Sequence, residues 1–258
     1  MHDPDKIQAA VRERYGTWAR SGTPCCPSPA GGDASCSCGG GSETLGYDPA
    51  ELAALPEGAD LGLGCGNPLA FAALEPGQTV LDLGSGTGID CLLAAKRVGP
   101  TGHVIGVDMT PEMVQKAREN AARGGFDNVE FREGAIEALP VEDRSVDAVI
   151  SNCVINLVPD KAAAFRETLR VLKPGGRLEV SDIVLVGELP EGMEDDVDSY
   201  VACLSGAIQK WEYMTYLRNS GYALAEIRSE TPYGEEGSPF VSIHVSALKG
   251  DCAPGSGC

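Results

Sequence analysis

The feature that most constrains the fold is a glycine-rich turn directly after an apolar segment. Thr79–Leu83 is predicted to be a buried strand, and it runs into the sequence Asp82-Leu83-Gly84-Ser85-Gly86-Thr87-Gly88. A helix is predicted next, at Ile89–Val98. Glycine lets the backbone turn tightly and lets a ligand approach it closely. This strand–turn–helix order therefore predicts a parallel α/β sheet with a ligand site at its carboxyl edge.

The rest of the chain continues the alternation of strands and helices. Further strands are predicted at residues 103–107, 128–132, 146–151 and 177–185. Helices are predicted at residues 5–20, after Thr110 as N-cap, at 160–172 before a Lys-Pro-Gly-Gly breaker, at 197–208 and at 212–220. The last two strands, at 223–230 and 240–248, follow each other without a helix, which predicts an antiparallel hairpin. Together these elements predict an α/β, Rossmann-like fold with a mostly parallel seven-stranded sheet and an antiparallel C-terminal edge.

Composition divides the chain into four parts. Residues 1–43 hold an N-terminal helix and a cysteine-rich loop; because 18 of residues 21–43 are Gly, Ser, Pro or Cys, the loop is predicted to be flexible. Residues 44–185 form the predicted ligand-binding core, and residues 186–249 form an added C-terminal region that completes the sheet edge. Residues 250–258 are predicted to be a disordered tail.

Charge and hydropathy exclude several kinds of partner. The chain has 20 Lys and Arg against 38 Asp and Glu, a net charge of −18. Such a surface repels phosphate backbones and anionic lipid, so neither nucleic acid nor membrane is expected as a partner. No secretory signal is evident in the first twenty residues, and the most apolar region, residues 146–158, is interrupted by polar side chains. We therefore expect a cytoplasmic protein.

The residues around the glycine turn indicate the class of cofactor. In the dinucleotide fingerprint G-x-G-x-x-G the third glycine comes one place later than here, and Ile89 occupies that place. Asp82 would repel a pyrophosphate but suits a ligand with an ammonium group, such as S-adenosylmethionine. Asp108, at the end of the second strand, is placed to accept hydrogen bonds from ribose hydroxyls. An NAD-binding Rossmann domain that uses the same loop is the alternative.

On these residues the chain resembles the class I S-adenosylmethionine-dependent methyltransferases, whose loop has the form Asp-x-Gly-x-Gly-x-Gly. The resemblance implies that the cofactor lies against the loop, and that the pair after the third strand, Ile136 and Glu137, lies along the adenine. The cofactor-binding residues expected on this basis are Asp82, Gly84, Ser85, Gly86, Thr87, Gly88, Asp108, Met109, Ile136, Glu137 and Asn152.

Cysteine is the unusual feature of the composition, with ten in the chain. In a reducing cytosol, a thiol-rich chain indicates metal, metalloid or redox chemistry rather than structural disulfides. Cys153 follows the fourth strand, Cys203 lies on a predicted helix of the C-terminal region, and Cys65 lies between two glycines that we expect to leave its thiol accessible. Three such thiols meeting in one pocket would bind a soft centre. Arsenite is one, and as a neutral solute it is not repelled by the acidic surface. Lowered thiol pKa values would favour its binding.

Along nearly its whole length the chain resembles the bacterial arsenite methyltransferases. The stretches that carry the resemblance are Tyr15-Gly16, Gly64-Cys65-Gly66-Asn67-Pro68, the Asp82 loop, Gly106-Val107-Asp108-Met109-Thr110, Ser151-Asn152-Cys153-Val154-Ile155-Asn156-Leu157, and Cys203 with Gly206-Ala207. The resemblance implies that Cys153 and Cys203 hold arsenic in a site to which the C-terminal region contributes. It also implies that Cys65 and an N-terminal cysteine supply further thiols.

What else follows from the resemblance is the reaction and its reductant. Methyl groups would pass from S-adenosylmethionine to arsenite and methylated trivalent arsenicals, as a detoxification, with glutathione or thioredoxin keeping the thiols reduced. Which N-terminal cysteine takes part stays open among Cys25, Cys26, Cys36 and Cys38, with Cys38 one candidate. The roles of Cys252 and Cys258 stay open too.

Each thiol also has an alternative interpretation. Free cysteine often behaves as a small buried hydrophobe, and this is the interpretation we favour for Cys91. Three loop cysteines with Cys65 would suffice for a zinc site, although their spacing is not typical of one. For the whole chain, the alternatives are a small-molecule C- or O-methyltransferase with incidental cysteines and a metalloid-binding protein without catalysis.

Overall fold

Seven strands form one mixed sheet in the computed structural model, which describes residues 4–21, 41–193 and 196–251. The strands are β1 (Thr79–Leu83), β2 (His103–Asp108), β3 (Val129–Glu133), β4 (Val146–Asn152), β5 (Leu172–Leu185), β6 (Leu224–Tyr233) and β7 (Phe240–Leu248). The helices are α1 (Pro4–Ser21), α2 (Pro49–Ala53), α3 (Ile89–Val98), α4 (Pro111–Gly124), α5 (Lys161–Val171), α6 (Val197–Val201) and α7 (Lys210–Asn219). Among the described helices, none is both long and apolar enough to cross a membrane.

The order of the strands places a crevice at the centre of the sheet. The order is β3-β2-β1-β4-β5-β7-β6, and β1 to β5 are parallel. Chain progression reverses between β1 and β4, so their following loops diverge and leave a crevice at the carboxyl ends of these strands. The glycine turn after β1 and Cys153 after β4 both lie at this point.

The antiparallel edge predicted from the sequence is confirmed. β7 is inserted between β5 and β6 and runs antiparallel to both, in register from Arg177 opposite Leu248 to Leu185 opposite Phe240. The fold is therefore an α/β, Rossmann-like fold with a mostly parallel seven-stranded sheet and an antiparallel C-terminal edge.

Apolar side chains pack on both faces of the sheet and above its carboxyl edge. One core lies under α5 and α7 around Phe165 and Tyr213, and another lies under α3 and α4 around Leu92 and Val114. A third cluster joins α1 and α6 to the end of the sheet, and it includes Val11. Helix α1 therefore packs across the carboxyl edge, where it forms one wall of the crevice.

Two predicted element boundaries are wrong, each because of a tertiary contact, whereas the predicted N-cap of α4 is confirmed. The 173–176 segment ends α5 as predicted, but β5 already begins at Leu172 and includes the segment. Thr110 is the N-cap of α4 as predicted; its side chain makes no capping hydrogen bond, and its N–H donates to the Asp108 carboxylate at 2.8 Å. The helix predicted at 197–208 ends at Val201. Gly206 packs directly against the Asn156 carbonyl oxygen, and a Cβ at this position would lie 2.3 Å from that oxygen. The chain makes this contact instead of continuing the helix to residue 208.

Candidate active site

The glycine turn after β1 forms the floor of a cleft at the carboxyl edge. Gly84, Gly86 and Gly88 all have positive φ, at 63°, 51° and 98°, which side chains disfavour. A Cβ on Gly84 would lie 2.3 Å from Val154 Cγ2, whereas nothing lies within 4 Å of a Cβ built on Gly86. Gly84 is thus required by packing, and Gly86 leaves open space above the backbone.

The cleft above this turn has about 730 Å³ of empty space, part of it open to solvent, and its walls are mostly apolar. The Asp108 carboxylate accepts hydrogen bonds from the N–H groups of Gly86, at 3.0 Å, and Thr110. A carboxylate has about four lone-pair sites, so after these two hydrogen bonds Asp108 can still accept hydrogen bonds from ligand hydroxyls. Of the predicted cofactor-binding residues, those lining this cleft are Gly84, Gly86, Asp108, Met109, Ile136, Glu137 and Asn152.

Helix α1 closes the same cleft from the other side. Gln8, Val11 and Tyr15 line it, and Gln8 Nε2 lies 3.5 Å from Glu137 Oε1. Burial raises the pKa of the Glu137 carboxyl. The sequence did not predict that α1 contributes to this site, because an amphipathic helix carries no signal of which surface it will cover.

A smaller cavity behind the glycine turn is lined by carboxylates. Asp82, predicted to face the ligand, is buried, and it accepts a hydrogen bond from Cys91 Sγ at 3.2 Å. Asp90 lies beside it and accepts a hydrogen bond from Tyr47 Oη at 2.7 Å. Asp60 also lines this cavity, together with Gly84 and Gly86 of the cleft. An acidic recess next to an apolar slot suits a ligand with a cationic end.

The pKa values of this recess depend on burial and on mutual repulsion. Burial, followed by the charge of Asp90, raises the pKa of Asp82 well above its usual value. Burial also raises the pKa of Asp90 to about 6, against the hydrogen bonds from Tyr47 and Asn152. Burial and mutual repulsion make the charged forms of these carboxylates unfavourable. A cationic ligand would stabilise the charged forms, so the recess favours a ligand with a positive charge. Asp90, Asp60 and Tyr47 were missed in the sequence, although Asp90 comes only two residues after Gly88.

Two further loop residues, Ser85 and Thr87, are buried beside the cleft. Thr87 Oγ1 donates a hydrogen bond to the Ala59 carbonyl at 2.8 Å, a contact that anchors the turn. Among the described residues, the Ser85 hydroxyl has no hydrogen-bond partner. An unpaired buried hydroxyl is costly, so the turn leaves a polar group for a ligand to satisfy.

Asn152, at the end of β4, joins the cleft to the Cys65 segment. Its Oδ1 accepts a hydrogen bond from the Cys65 N–H at 3.1 Å, and its Nδ2 donates to the Gly66 carbonyl and to Tyr47 Oη, both at 2.9 Å. A Cβ on Gly64 would lie 2.7 Å from Asn152 Nδ2. The glycine on this side of Cys65 therefore permits close packing rather than exposure, and the expected accessibility of this thiol is wrong, since Cys65 is buried.

The structure brings Cys65, Cys153 and Cys203 together above the crevice. All three are buried free thiols. Cys65 Sγ, Cys153 Sγ and a carboxylate oxygen of Asp182 all lie within 4.8 Å of one another, and Cys203 Sγ donates a hydrogen bond to the Cys153 carbonyl at 2.9 Å. Three thiols from distant parts of the sequence thus form one cluster, as predicted.

Two of these thiols lie on unfavourable backbone. Cys153 and Cys203 have φ values of 59° and 65°, in the left-handed region that non-glycine residues rarely adopt. Such conformations cost free energy and are kept where the surroundings impose them. Here the Cys153 N–H donates to the Ser181 carbonyl at 2.7 Å, and Asn156 Nδ2 donates to the Cys203 carbonyl at 3.2 Å. The fold therefore forces both thiols towards the same point.

The three thiols have raised pKa values, whereas lowered values would favour binding through thiolates. Burial raises the pKa of Cys65. A hydrogen bond with Cys203 opposes the shift of Cys153, but the hydrogen bond with Cys65 and burial outweigh it and raise its pKa well above the usual value. The hydrogen bond with Cys153 and then burial do the same to Cys203. All three groups are thus protonated thiols near neutral pH.

Behind the thiols lies Asp182, completely buried at the end of β5. Burial raises its pKa to about 7, although Tyr213 Oη donates to it at 3.3 Å and its neighbour Ile183 donates its N–H at 3.0 Å. Lys161, whose pKa is lowered by burial, is close enough to interact with its charge. None of these partners is close to Asp182 in the sequence except Ile183, so the sequence alone does not indicate this environment.

Two cavities meet at Cys153. This residue lines the cleft beside the glycine turn, and with Cys203 it also lines a second, open groove of about 1840 Å³ of empty space. Trp18 of α1 and Phe240 of β7 form walls of that groove. Cys153 therefore lies at the boundary between a ligand cleft and a separate entrance to the thiols.

Of the remaining cysteines, Cys91 is fully buried within the core under α3, as its alternative interpretation stated. The others, Cys25, Cys26, Cys36, Cys38, Cys252 and Cys258, lie outside the described residues.

Comparison with known proteins agrees with this geometry. A family model described as a methyltransferase domain matches residues 74–221. The arsenite methyltransferase of Halobacterium salinarum is 50% identical over 247 residues, which are 93% of this chain and 62% of that protein. The human arsenite methyltransferase is 43% identical over 147 residues, 54% of this chain and 39% of that protein. The chain thus spans less than two thirds of the length of these relatives.

A solved structure extends the similarity to three dimensions. The crystal structure of an arsenic(III) S-adenosylmethionine methyltransferase from Chlamydomonas reinhardtii has a TM-score of 0.66 and 35% identity, covering 83% of this chain and 73% of that one. With the family match, this relative shows that the chain belongs to the class I S-adenosylmethionine-dependent methyltransferases, within the arsenite methyltransferase family.

Proposed function

We propose that this chain transfers methyl groups from S-adenosylmethionine to trivalent arsenic held by Cys65, Cys153 and Cys203. The observation that carries the proposal is the position of Cys153, whose side chain belongs both to the thiol cluster and to the wall of the glycine-turn cleft. Alignment of two reactants across one residue removes much of the entropic barrier to their reaction.

The protonated state of the thiols suits arsenite as substrate. Neutral As(OH)₃ reacts with three thiols to give As(SR)₃ and three molecules of water, so each S–H proton leaves with an arsenic-bound hydroxyl. The raised pKa values therefore impose no deprotonation cost on binding. The thiolate sulfurs are soft ligands that make arsenic electron-rich and leave its lone pair free to accept a methyl group.

The proposed cofactor contacts follow from the two adjoining cavities. S-adenosylmethionine supplies an electrophilic methyl group when it is bound. Asp108 would accept hydrogen bonds from the ribose hydroxyls, Ile136 would pack on the adenine, and the recess of Asp82 and Asp90 would hold the ammonium group. The open space at Gly86 and the unpaired Ser85 hydroxyl fit a ligand lying directly on the turn.

The proposal includes a thiol reductant and a reducing compartment. Four buried free thiols keep their chemistry only where disulfides are not favoured. We therefore propose that glutathione or thioredoxin maintains the cluster, and that the chain acts in the cytoplasm in arsenic detoxification. Attack of the arsenic lone pair on the methyl group would release S-adenosylhomocysteine and take arsenic from the trivalent to the pentavalent state. Two thiols of the reductant, oxidised to a disulfide, would return it to the trivalent state, so that arsenite and its methylated trivalent products would be successive substrates.

The test is to incubate the purified chain with arsenite, S-adenosylmethionine and glutathione, and to separate the arsenic species over time. We expect methylated arsenic to accumulate. The matched control for replacement of a cluster thiol is Cys91→Ser, since Cys91 is a buried thiol outside the cluster and a serine hydroxyl can still donate to Asp82. Cofactor binding without any methylated arsenic would refute the proposal and favour a methyltransferase for another small molecule.

Cofactor affinity is expected to fall below about pH 6. Asp90 has a pKa of about 6 in the free protein, and a bound ammonium group favours its ionised form. Below that pKa the carboxyl must lose a proton for binding, so affinity should fall by up to about tenfold per pH unit. Calorimetric titration with S-adenosylmethionine between about pH 5 and 8 measures this. In Asp90→Asn the affinity should be lower and its fall below pH 6 should be weaker; an unchanged profile would exclude Asp90 from the recess's function.

A further inference from the structure

Asp182 lies beside the thiol cluster, but trivalent arsenic does not need it as a ligand. Three thiolates complete the coordination of trivalent arsenic, and a fourth, charged ligand has no place in a neutral As(SR)₃ group. Nevertheless, a carboxylate oxygen of Asp182 lies within 4.8 Å of both Cys65 Sγ and Cys153 Sγ. The carboxylate is fully buried, so it belongs to the cluster rather than to the solvent around it.

The donor set of the cluster matches a different class of ligand. Thiolate sulfur with carboxylate oxygen in four-coordinate sites is typical of thiophilic divalent cations such as Zn²⁺. Tetrahedral bonds of about 2.3 Å to sulfur and about 2.0 Å to oxygen separate two sulfurs by about 3.8 Å and a sulfur from an oxygen by about 3.5 Å. A contraction of at most about 1.3 Å would therefore bring Cys65, Cys153 and Asp182 onto one ion. Cys203 lies outside this set of three, and its Sγ donates to the Cys153 carbonyl at 2.9 Å, so its side chain would have to move to supply the fourth donor.

We propose that Cys65, Cys153, Cys203 and Asp182 form a binding site for a thiophilic divalent cation, which competes with arsenite for the thiols. Binding of a divalent ion M²⁺ would convert three S–H groups to thiolates and release three protons to the solvent, giving an M(SR)₃(carboxylate) group. Lys161, whose charge interacts with Asp182 and Cys203, would offset part of the negative charge. Arsenite, by contrast, enters as a neutral molecule and leaves its hydroxyls as water.

Asp182 therefore separates the two ligands. A cation needs its carboxylate both as a ligand and as a countercharge, whereas trivalent arsenic needs the thiols alone. The proposed cation site uses the same thiols as the proposed arsenic site, but cation binding depends neither on methyl transfer nor on the cofactor. A chain that binds the cation without methylating arsenic would refute the proposed function and leave this site intact.

The test uses Cd²⁺, because its thiolate complexes absorb in the ultraviolet. The chain of 258 residues is prepared with six serines in place of Cys25, Cys26, Cys36, Cys38, Cys252 and Cys258, so that these thiols cannot bind the probe. Titration of this parent should give a charge-transfer band that saturates at one Cd²⁺ per chain. Cys91→Ser is the matched control and should keep the band, while Cys65→Ser should lose most of it.

The decisive variant is Asp182→Asn in the same background. We expect its Cd²⁺ affinity to fall by roughly 10- to 100-fold, a range typical of lost partners in metal sites, while its arsenite affinity is kept. Equal Cd²⁺ affinity in this variant and in the parent would overturn the proposal.

A second measurement keeps the proposal testable if Asp182→Asn does not fold. In the parent, one equivalent of arsenite should remove the Cd²⁺ band, and excess Cd²⁺ should restore it, because both ligands use the same sulfurs. Persistence of the band in the presence of bound arsenite would place Cd²⁺ elsewhere and overturn the inference.

Discussion

Replacement of Cys153 by serine is expected to abolish methyl transfer to arsenic while cofactor binding is kept. Cys153 is the thiol shared by the cluster and the glycine-turn cleft. A serine hydroxyl is a hard ligand that arsenic does not retain in place of thiolate. Because the reactants would no longer be aligned, the rate should fall by at least about 10³-fold. Arsenic speciation measures the rate, and calorimetry measures the affinity for S-adenosylmethionine.

A second variant separates loss of the ligand from damage to the fold. Cys153 has a φ of 59°, which glycine adopts without strain. Cys153→Gly should therefore fold at least as well as Cys153→Ser in its backbone, and it should be equally inactive on arsenic. Wild-type rates in either variant would show that Cys153 does not hold the substrate, and would favour a methyltransferase whose cysteines are incidental.

The core of the fold was predictable because its signals are local. β1, α3 and β7 begin and end where the sequence predicted, since each is a largely apolar segment followed directly by glycine or lysine. The antiparallel edge followed from two successive strands without a helix between them. Alternation of strand and helix constrains topology strongly, because parallel crossovers are nearly all of one hand.

The wrong predictions lie where long-range contacts override local preference. The 197–208 segment has helical composition, but Cys203 adopts a left-handed backbone and Gly206 packs on the Asn156 carbonyl. In the 173–176 segment, Pro and Gly end α5, yet the chain still pairs within β5. Neither contact leaves a trace within the segment itself, because the partner residues are distant in the chain.

The residues of the candidate site also divide into those that a sequence motif indicates and those that only the structure reveals. The glycine turn, Asp108 and the three converging cysteines carry motifs, so the sequence indicated them. Asp90 and Tyr47 do not, because a buried carboxylate differs from an exposed one only through its surroundings. The thiol pKa values illustrate the point: reactivity alone suggested lowered values, whereas burial and mutual hydrogen bonds raise them.

Replacement of Gly84 by alanine is expected to remove cofactor binding and to destabilise the chain. The residue has a φ of 63°, which costs about 1–2 kcal/mol for a side chain. The new Cβ would also lie 2.3 Å from Val154 Cγ2, and such overpacking typically costs about 1–3 kcal/mol. Together these terms predict a loss of about 2–5 kcal/mol in the free energy of unfolding. Denaturant titration measures this loss, and calorimetry measures binding.

The same clash connects the cofactor cleft to the thiols, because Val154 is the next residue after Cys153. Displacement of Val154 should move Cys153, so Gly84→Ala should weaken arsenite binding as well as cofactor binding. Gly125→Ala is the matched control: its φ is 69° and nothing lies within 4 Å of the new Cβ, at the end of α4 and away from the cleft. This variant should lose about 1–2 kcal/mol and keep both affinities. If Gly84→Ala loses no more stability than Gly125→Ala and still binds both ligands, the turn is not held against Val154, and the coupling of the two sites through this contact is wrong.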